Sequence, residues 1–172
     1  KSNEIFYQLI KSTPIGYRAP MGSIGKDNMW ALEVLKDNGF IYDSSIYPSN
    51  YFVHSGNKNI NPNIHEIISD FYEIPLVVGN IMNFPIPISG GFYIRFLPFK
   101  LFLHLFAERN KNNLTNVIYF HPWEFDTNYP KKADNTFKRF IQYYNLKSVK
   151  DKLEILLDLY NFFPLKNILP KK

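Results

Sequence analysis

The chain has 172 residues, 45% of them apolar and 17% aromatic, which suffices for one domain with a sizeable core and excludes intrinsic disorder. Its formal net charge is +5, but the lysines are scattered and form no basic stripe with interleaved aromatics, so nucleic acid is excluded as the expected partner. The absence of cysteine excludes disulfides and thiolate metal sites.

Asn3 to Ile10 reads as a helix with Ile5, Phe6, Leu9 and Ile10 on one side, ended by Pro14. Gly16 to Arg18 follows as a short strand closed by Pro20. Asp27 is the expected N-cap of a helix over Met29 to Asn38, with Trp30, Val34 and Leu35 as its inward residues. Asn38-Gly39 supplies a left-handed cap, and Phe40 to Asp43 is the next strand. Strand, helix and strand with short connections make a βαβ unit, which predicts parallel pairing. Ser44 to Pro62 is loop. Phe71 to Val78 is a strand pair or a strand bent at Pro75, and the prolines demote Met82 to Ile88 to an edge strand or extended loop. Ser89-Gly90-Gly91 marks a turn or a close backbone approach. Pro98 to Lys111 is an apolar helix, Thr115 to Phe120 a strand, and Asn135 to Tyr144 a helix. Ser148 is the expected cap of a last helix whose buried stripe is Val149, Leu153, Leu156, Leu157 and Tyr160. No linker divides the chain, so a single domain, residues 1–172, is expected.

The chain opens on Lys1 with no charged-then-apolar leader, and no apolar run approaches ~20 residues. Neither a signal peptide nor a transmembrane helix is expected in it. Cytoplasm and cell envelope both stay open, as does peripheral contact with an anionic membrane surface through the Lys131-Lys132, Lys147/Lys150/Lys152 and Lys171-Lys172 groups.

Three strand ends carry candidate chemistry. Val117 to Asp126 delivers His121 to the end of an apolar run, where Pro122 stops the strand. A histidine there can act as general acid, or serve as a structural bond to a neighbouring loop. Glu124 and Asp126 can orient an imidazole or lie solvated in the turn; Trp123 can floor a sugar site or cover the end of the sheet. Arg18 can hold a carboxylate by two hydrogen bonds or form a surface ion pair. Asp43 can hold an imidazole charged or cap the loop that follows. His54, His65 and His104 lack metal-ligand spacing, the first two in a floppy stretch and the third on the apolar helix, so no complete metal site is expected.

In combination these segments resemble the NodB-type polysaccharide deacetylases, carbohydrate esterase family four, and in particular the branch found near exosortase and exopolysaccharide genes. Gly16-Tyr17-Arg18-Ala19-Pro20 with Ser23-Ile24 is similar to the third motif, continued by Trp30 to Leu35 and Gly39 to Pro48. Gly90-Gly91-Phe92-Tyr93-Ile94-Arg95-Phe96-Leu97-Pro98 resembles a glycine-aromatic-arginine segment, and Tyr119 to Asp126 resembles the last motif. The resemblance implies an α/β fold, the C-terminal part of a distorted (β/α) barrel. It implies a divalent metal, usually zinc, whose bound water attacks an N- or O-acetyl group on a sugar polymer. Arg18 would orient an aspartate base, Asp43 would tune the acid histidine, and His121 would protonate the leaving group. Substrate contacts are implied at Pro20, Gly91, Tyr93, Trp123 and Glu124. All three groups are then expected at one rim of a parallel sheet.

The family's first two motifs, an Asp-Asp pair and a His-x-x-x-His segment, are absent from this chain. Those motifs supply the base and the metal ligands. The resemblance therefore implies a C-terminal half, partnered by an N-terminal half of the barrel, with no tight zinc site and no hydrolysis by itself. The expected partner is an acetylated polysaccharide or oligosaccharide. Two other readings compete. In one, the chain is a non-catalytic carbohydrate-binding remnant in which Trp123, Tyr93 and Phe92 stack on sugar. In the other, Phe92 to Ala107 lies in a membrane interface.

Overall fold

Between Gly16 and Asp43 the chain builds the expected strand, helix and strand. In the computed structural model, which describes residues 2–49, 56–126, 128 and 135–170, β1 (Gly16–Tyr17) pairs in parallel with β2 (Tyr42–Asp43), and α2 (Trp30–Asp37) connects them. The preceding α1 (Ser2–Ile10) presents Ile5, Phe6, Leu9 and Ile10 all exposed, so its apolar side covers no core of its own unit. The inward face of α2 is also displaced from the expected one. Leu32 is fully buried, whereas Trp30 is 68% and Val34 49% exposed. Upstream, a 3-10 turn, Lys26–Asn28, precedes the helix, and Asn28, not Asp27, closes it by accepting the Gly25 N–H at 2.7 Å.

The end of α2 follows the predicted chemistry. Gly39 takes φ +85°, its N–H reaches Lys36 O at 2.9 Å, and the Phe40 N–H reaches Leu35 O at 3.2 Å, a Schellman closure. A Cβ on Gly39 would meet nothing within 4 Å, so only backbone strain opposes a side chain there. Gly39→Ala is expected to lower stability by about 1 kcal/mol and Gly39→Asn by less, since asparagine tolerates the left-handed region. Urea midpoints of the three proteins check this.

Two further strands complete the sheet. β4 (Phe71–Glu73) lies parallel to β2, and β3 (His65–Ile68) pairs antiparallel with β4, giving the order β1-β2-β4-β3. His65 therefore belongs to a strand rather than to a floppy stretch; its neighbour in the register is Glu73. His54 lies outside the described residues, as do Lys131-Lys132 and Lys171-Lys172. Ala19, Ile24, Leu32, Ile46 and Phe71 form the buried core of this unit, backed by Met29, Leu35 and Phe40.

The chain forms two compact units, Lys1–Leu76 with Pro164–Lys172, and Val77–Phe163. The break near Pro75 separates two strands: β4 ends at Glu73, and β5 (Val78–Ile81) opens a hairpin in the second unit. Its partner β6 (Phe84–Pro87) carries both prolines, as an edge strand can, and Met82 and Asn83 turn it with φ +49° and +68°, a type I′ pair. α3 (Gly91–Phe96), α4 (Phe99–Lys111), α5 (Thr136–Tyr143) and α6 (Ser148–Leu159) follow. α4 packs on β5, where Gly79 lets Leu105 approach.

Two expectations fail in this unit. Thr115 to Phe120 is not a ladder strand but extended chain with a single parallel bridge, Tyr119 to Gly90. The Tyr119 N–H to Ser89 O bond at 3.0 Å and the Ser89 hydroxyl to Val117 O bond at 2.7 Å hold it. The last helix is not capped by the Ser148 side chain, which lies inside it and donates to Asn145 O. Leu157 is 55% exposed, leaving Val149 and Leu156 as the fully buried residues of that stripe. Taken together the fold is mixed α/β. Among the described residues no helix is long and apolar enough to cross a membrane.

Candidate functional site

Arg18 and Asp43 come together in the first unit. Asp43 sits at the end of β2, fully buried, with Oδ1 accepting the Ser45 hydroxyl at 2.7 Å and Oδ2 the Ser45 N–H at 3.0 Å. Capping of the following loop, one of its two expected roles, is thus filled. Arg18 directs two donors onto the next residue, Nε to Ser44 O and Nη2 to Ser44 Oγ, both 2.7 Å, and the Ser44 hydroxyl passes on to Ile74 O. Pro20 opens an exposed 3-10 turn just beyond.

The sequence reading missed Glu73. It faces Asp43 across the parallel β2–β4 pair, is fully buried, and accepts the Ile46 N–H through Oε1 at 3.0 Å. Its Oε2 is buried without a hydrogen-bond partner among the described residues. Burial, then the Asp43 charge, pushes the Glu73 carboxyl well above its ordinary range. Burial also raises Asp43, against the Ser45 hydrogen bond. Both shifts favour a protonated carboxyl in this pair. Glutamate on a strand of alternating apolar and polar residues gives little sign of this, because the partner is set by register.

His121 belongs to the second unit, where a different carboxylate serves it. Glu124 is 1% exposed, not the solvated turn residue its position suggested. The Pro122–Phe125 turn rolls the side chain back so that Oε2 accepts the His121 N–H at 2.8 Å and faces His121 Nδ1 at 3.3 Å. Oε1 accepts Arg95 Nη2 at 3.0 Å and Nε at 3.2 Å. Arg95, itself buried, donates further to the carbonyls of Ile141, Gln142 and Tyr144, which close α5. Burial pushes the Arg95 guanidinium below its ordinary value, while Glu124 opposes the shift.

Around this pair the implied substrate residues take distinct places. The His121 side chain is 56% exposed. The Trp123 ring lies nearly parallel to the imidazole (centroids 5.8 Å, 25° apart), and Tyr119 meets it edge-on at 5.8 Å. Gly91 is buried beneath Glu124: a Cβ there would overlap both carboxylate oxygens, which is the close approach foreseen at Gly90-Gly91. Tyr93 is half-buried, its hydroxyl pushed up to about 12 by burial and by Tyr119. Arg109, also missed, is buried on α4. Its guanidinium binds Val78 O, Thr115 O and Asn116 Oδ1, and burial pushes it down to about 10.

The donors fit zinc poorly. Zinc takes about four ligands, at least three from protein. Among the described residues no group of three or more His, Asp or Glu is placed to hold an ion. Glu124 is taken up by Arg95 and His121, Asp43 by Ser45, and one oxygen of Glu73 by Ile46.

No curated protein and no solved structure matches the chain. A family model does match, over residues 44–170. That segment contains Glu73, Gly91, Tyr93, Arg95, His121, Trp123 and Glu124, while Arg18 and Asp43 precede it. With well over half its length matched, the chain belongs to the family described as a domain of unknown function (DUF3473).

Proposed function

We propose that this domain is polysaccharide deacetylase-like, a hydrolase part that acts on acetylated sugar polymers and has His121 as its proton-transfer group. Its fold in this reading is the C-terminal part of a distorted (β/α) barrel. The observation that carries the reading is the presentation of His121: a half-exposed imidazole beside an aromatic surface, backed by a buried carboxylate with its own counter-ion. Trp123 and Tyr93 supply flat faces on which a pyranose can stack. Arg18 and Asp43 lie together in the first unit, and the carboxylate that backs His121 in this reading is Glu124.

The metal and base belong to the Asp-Asp and His-x-x-x-His motifs that the 172 residues lack. When bound, zinc would supply an activated water. The chain's own share is to hold the sugar and to move a proton at His121.

A second reading, a carbohydrate-binding module without turnover, rests on the same flat faces of Tyr93 and of Trp123 beside His121. Acetate release from an N-acetylated oligosaccharide separates the two. In the gene product that carries this chain, with zinc supplied, His121→Ala is expected to lower release by about 10²–10⁴-fold, the usual contribution of a positioned acid. The 172-residue chain alone is expected to bind the oligosaccharide, to weaken on Trp123→Ala, and to give a flat zinc isotherm. Release indifferent to His121→Ala overturns the hydrolase reading; a tight one-to-one zinc site in the chain alone overturns the assignment of the metal to the missing motifs; binding without release supports the module.

A further inference from the structure

We propose that Glu124 is a positioning residue that fixes His121 as the Nδ1-protonated tautomer, so that Nε2 is the nitrogen that exchanges a proton with substrate. The part about substrate rests on the reading of His121 given above; the tautomer does not.

The argument is a count of donors against acceptors. An ionised carboxylate offers only acceptors, about four lone-pair sites on two oxygens. Oε1 receives Arg95 Nε and Nη2, and Oε2 receives the His121 N–H. The fourth group on the carboxylate is the His121 ring, through Nδ1 at 3.3 Å. Facing an oxygen that cannot donate, Nδ1 must carry the proton. The neutral ring then has its lone pair at Nε2. A proton taken up there makes an imidazolium beside Glu124, and release of that proton to a leaving amine or alkoxide returns the ring to its starting tautomer.

Glutamine cannot reproduce this. Arg95 needs an acceptor at one position and the His121 N–H needs one at the other, so an amide NH₂ opposes a donor whichever way it turns. Arg95 is also what keeps the carboxylate in place. It is tied to the α5 carbonyls on one side and to Glu124 on the other, and Gly91 leaves room for the carboxylate between.

The test is the ¹⁵N spectrum of the imidazoles in the folded 172-residue chain, read by long-range proton–nitrogen correlation above the titration of the rings. The chain has four histidines, and the His121 signals are those lost in His121→Gln. The expected pattern for His121 is a protonated Nδ1 and a bare Nε2, the reverse of the preference of free imidazole side chains. In Glu124→Gln the pattern is expected to shift toward the Nε2-protonated form, and Glu124→Asp to restore part of it. A wild-type ring protonated at Nε2 overturns the proposal, as does a Glu124→Gln ring unchanged from wild type. Where Glu124→Gln does not fold, the wild-type spectrum decides. A protonated Nδ1 without any acetate release in the assay above upholds the positioning role and overturns only the hydrolase reading.

Discussion

Glu124→Ala is expected to destabilise the second unit by about 3–5 kcal/mol. The effect comes less from the lost attraction than from what is left behind. Arg95 is 2% exposed and, among the described residues, meets a carboxylate at Glu124; without it a guanidinium stays buried among carbonyls. The His121 N–H at the head of the Pro122–Phe125 turn loses its acceptor in the same step. Urea denaturation of the wild type, Glu124→Ala and the double variant Arg95→Met/Glu124→Leu separates these causes. Removing both charges is expected to recover most of the loss, because a buried ion pair is close to neutral against well-packed apolar groups. The recovery stays incomplete by about 1–2 kcal/mol, since the Ile141, Gln142 and Tyr144 carbonyls lose their donor. A loss below about 1 kcal/mol in Glu124→Ala would show that the buried pair is not what holds this unit.

The features legible in the sequence are those fixed by near neighbours. Asn38-Gly39 closes α2 because only the local backbone is involved. The parallel pairing of β1 and β2 follows from the short βαβ spacing. What stayed hidden depends on distant partners. Thr115 to Phe120 has the composition of a strand, but a strand needs a ladder, and Ser89-Gly90 supplies one bridge. α2 turns Leu32 inward and leaves Trp30 exposed, a choice set by what packs against the helix.

The candidate site divides in the same way. His121 could be picked out from its run, its proline and its aromatic neighbour. Glu124 lies only three residues away, yet it reads as an exposed turn carboxylate until Arg95, 29 residues upstream, is placed against it. Glu73 is 30 residues from Asp43, and only the β2–β4 register brings the two carboxyls face to face. Charge in a sequence is visible; compensation of charge is a tertiary property.

Glu73 carries the second large expectation, a stability that falls as pH rises. The folded state holds the Glu73 proton more firmly than the unfolded chain does, because burial and the Asp43 charge raise its carboxyl well above the ordinary 4.5. Between that value and the raised one, the native state binds more protons than the unfolded state. Stability from this group is therefore complete below the ordinary value and is lost as pH climbs through the raised one. Asp43, also raised by burial, acts with the same sign, and the two titrate as a pair. The groups facing them are the Ser45 hydroxyl and N–H, the Ile46 N–H, and His65 in the register next to Glu73; Arg18 sits on Ser44 alongside. The slope contributed approaches about 1.4 kcal/mol per pH unit for one proton. Glu73→Gln keeps an acceptor for the Ile46 N–H and places a permanent donor toward Asp43, so it imitates the protonated acid at every pH. It is expected to flatten the profile and to exceed the wild type on the alkaline side, although it deletes a charged group from the interior. Urea midpoints of both proteins across the pH range measure this. If the two profiles run parallel, the pair does not share a proton, and the loop from Ser44 to Ile46 is held by its neutral hydrogen bonds alone.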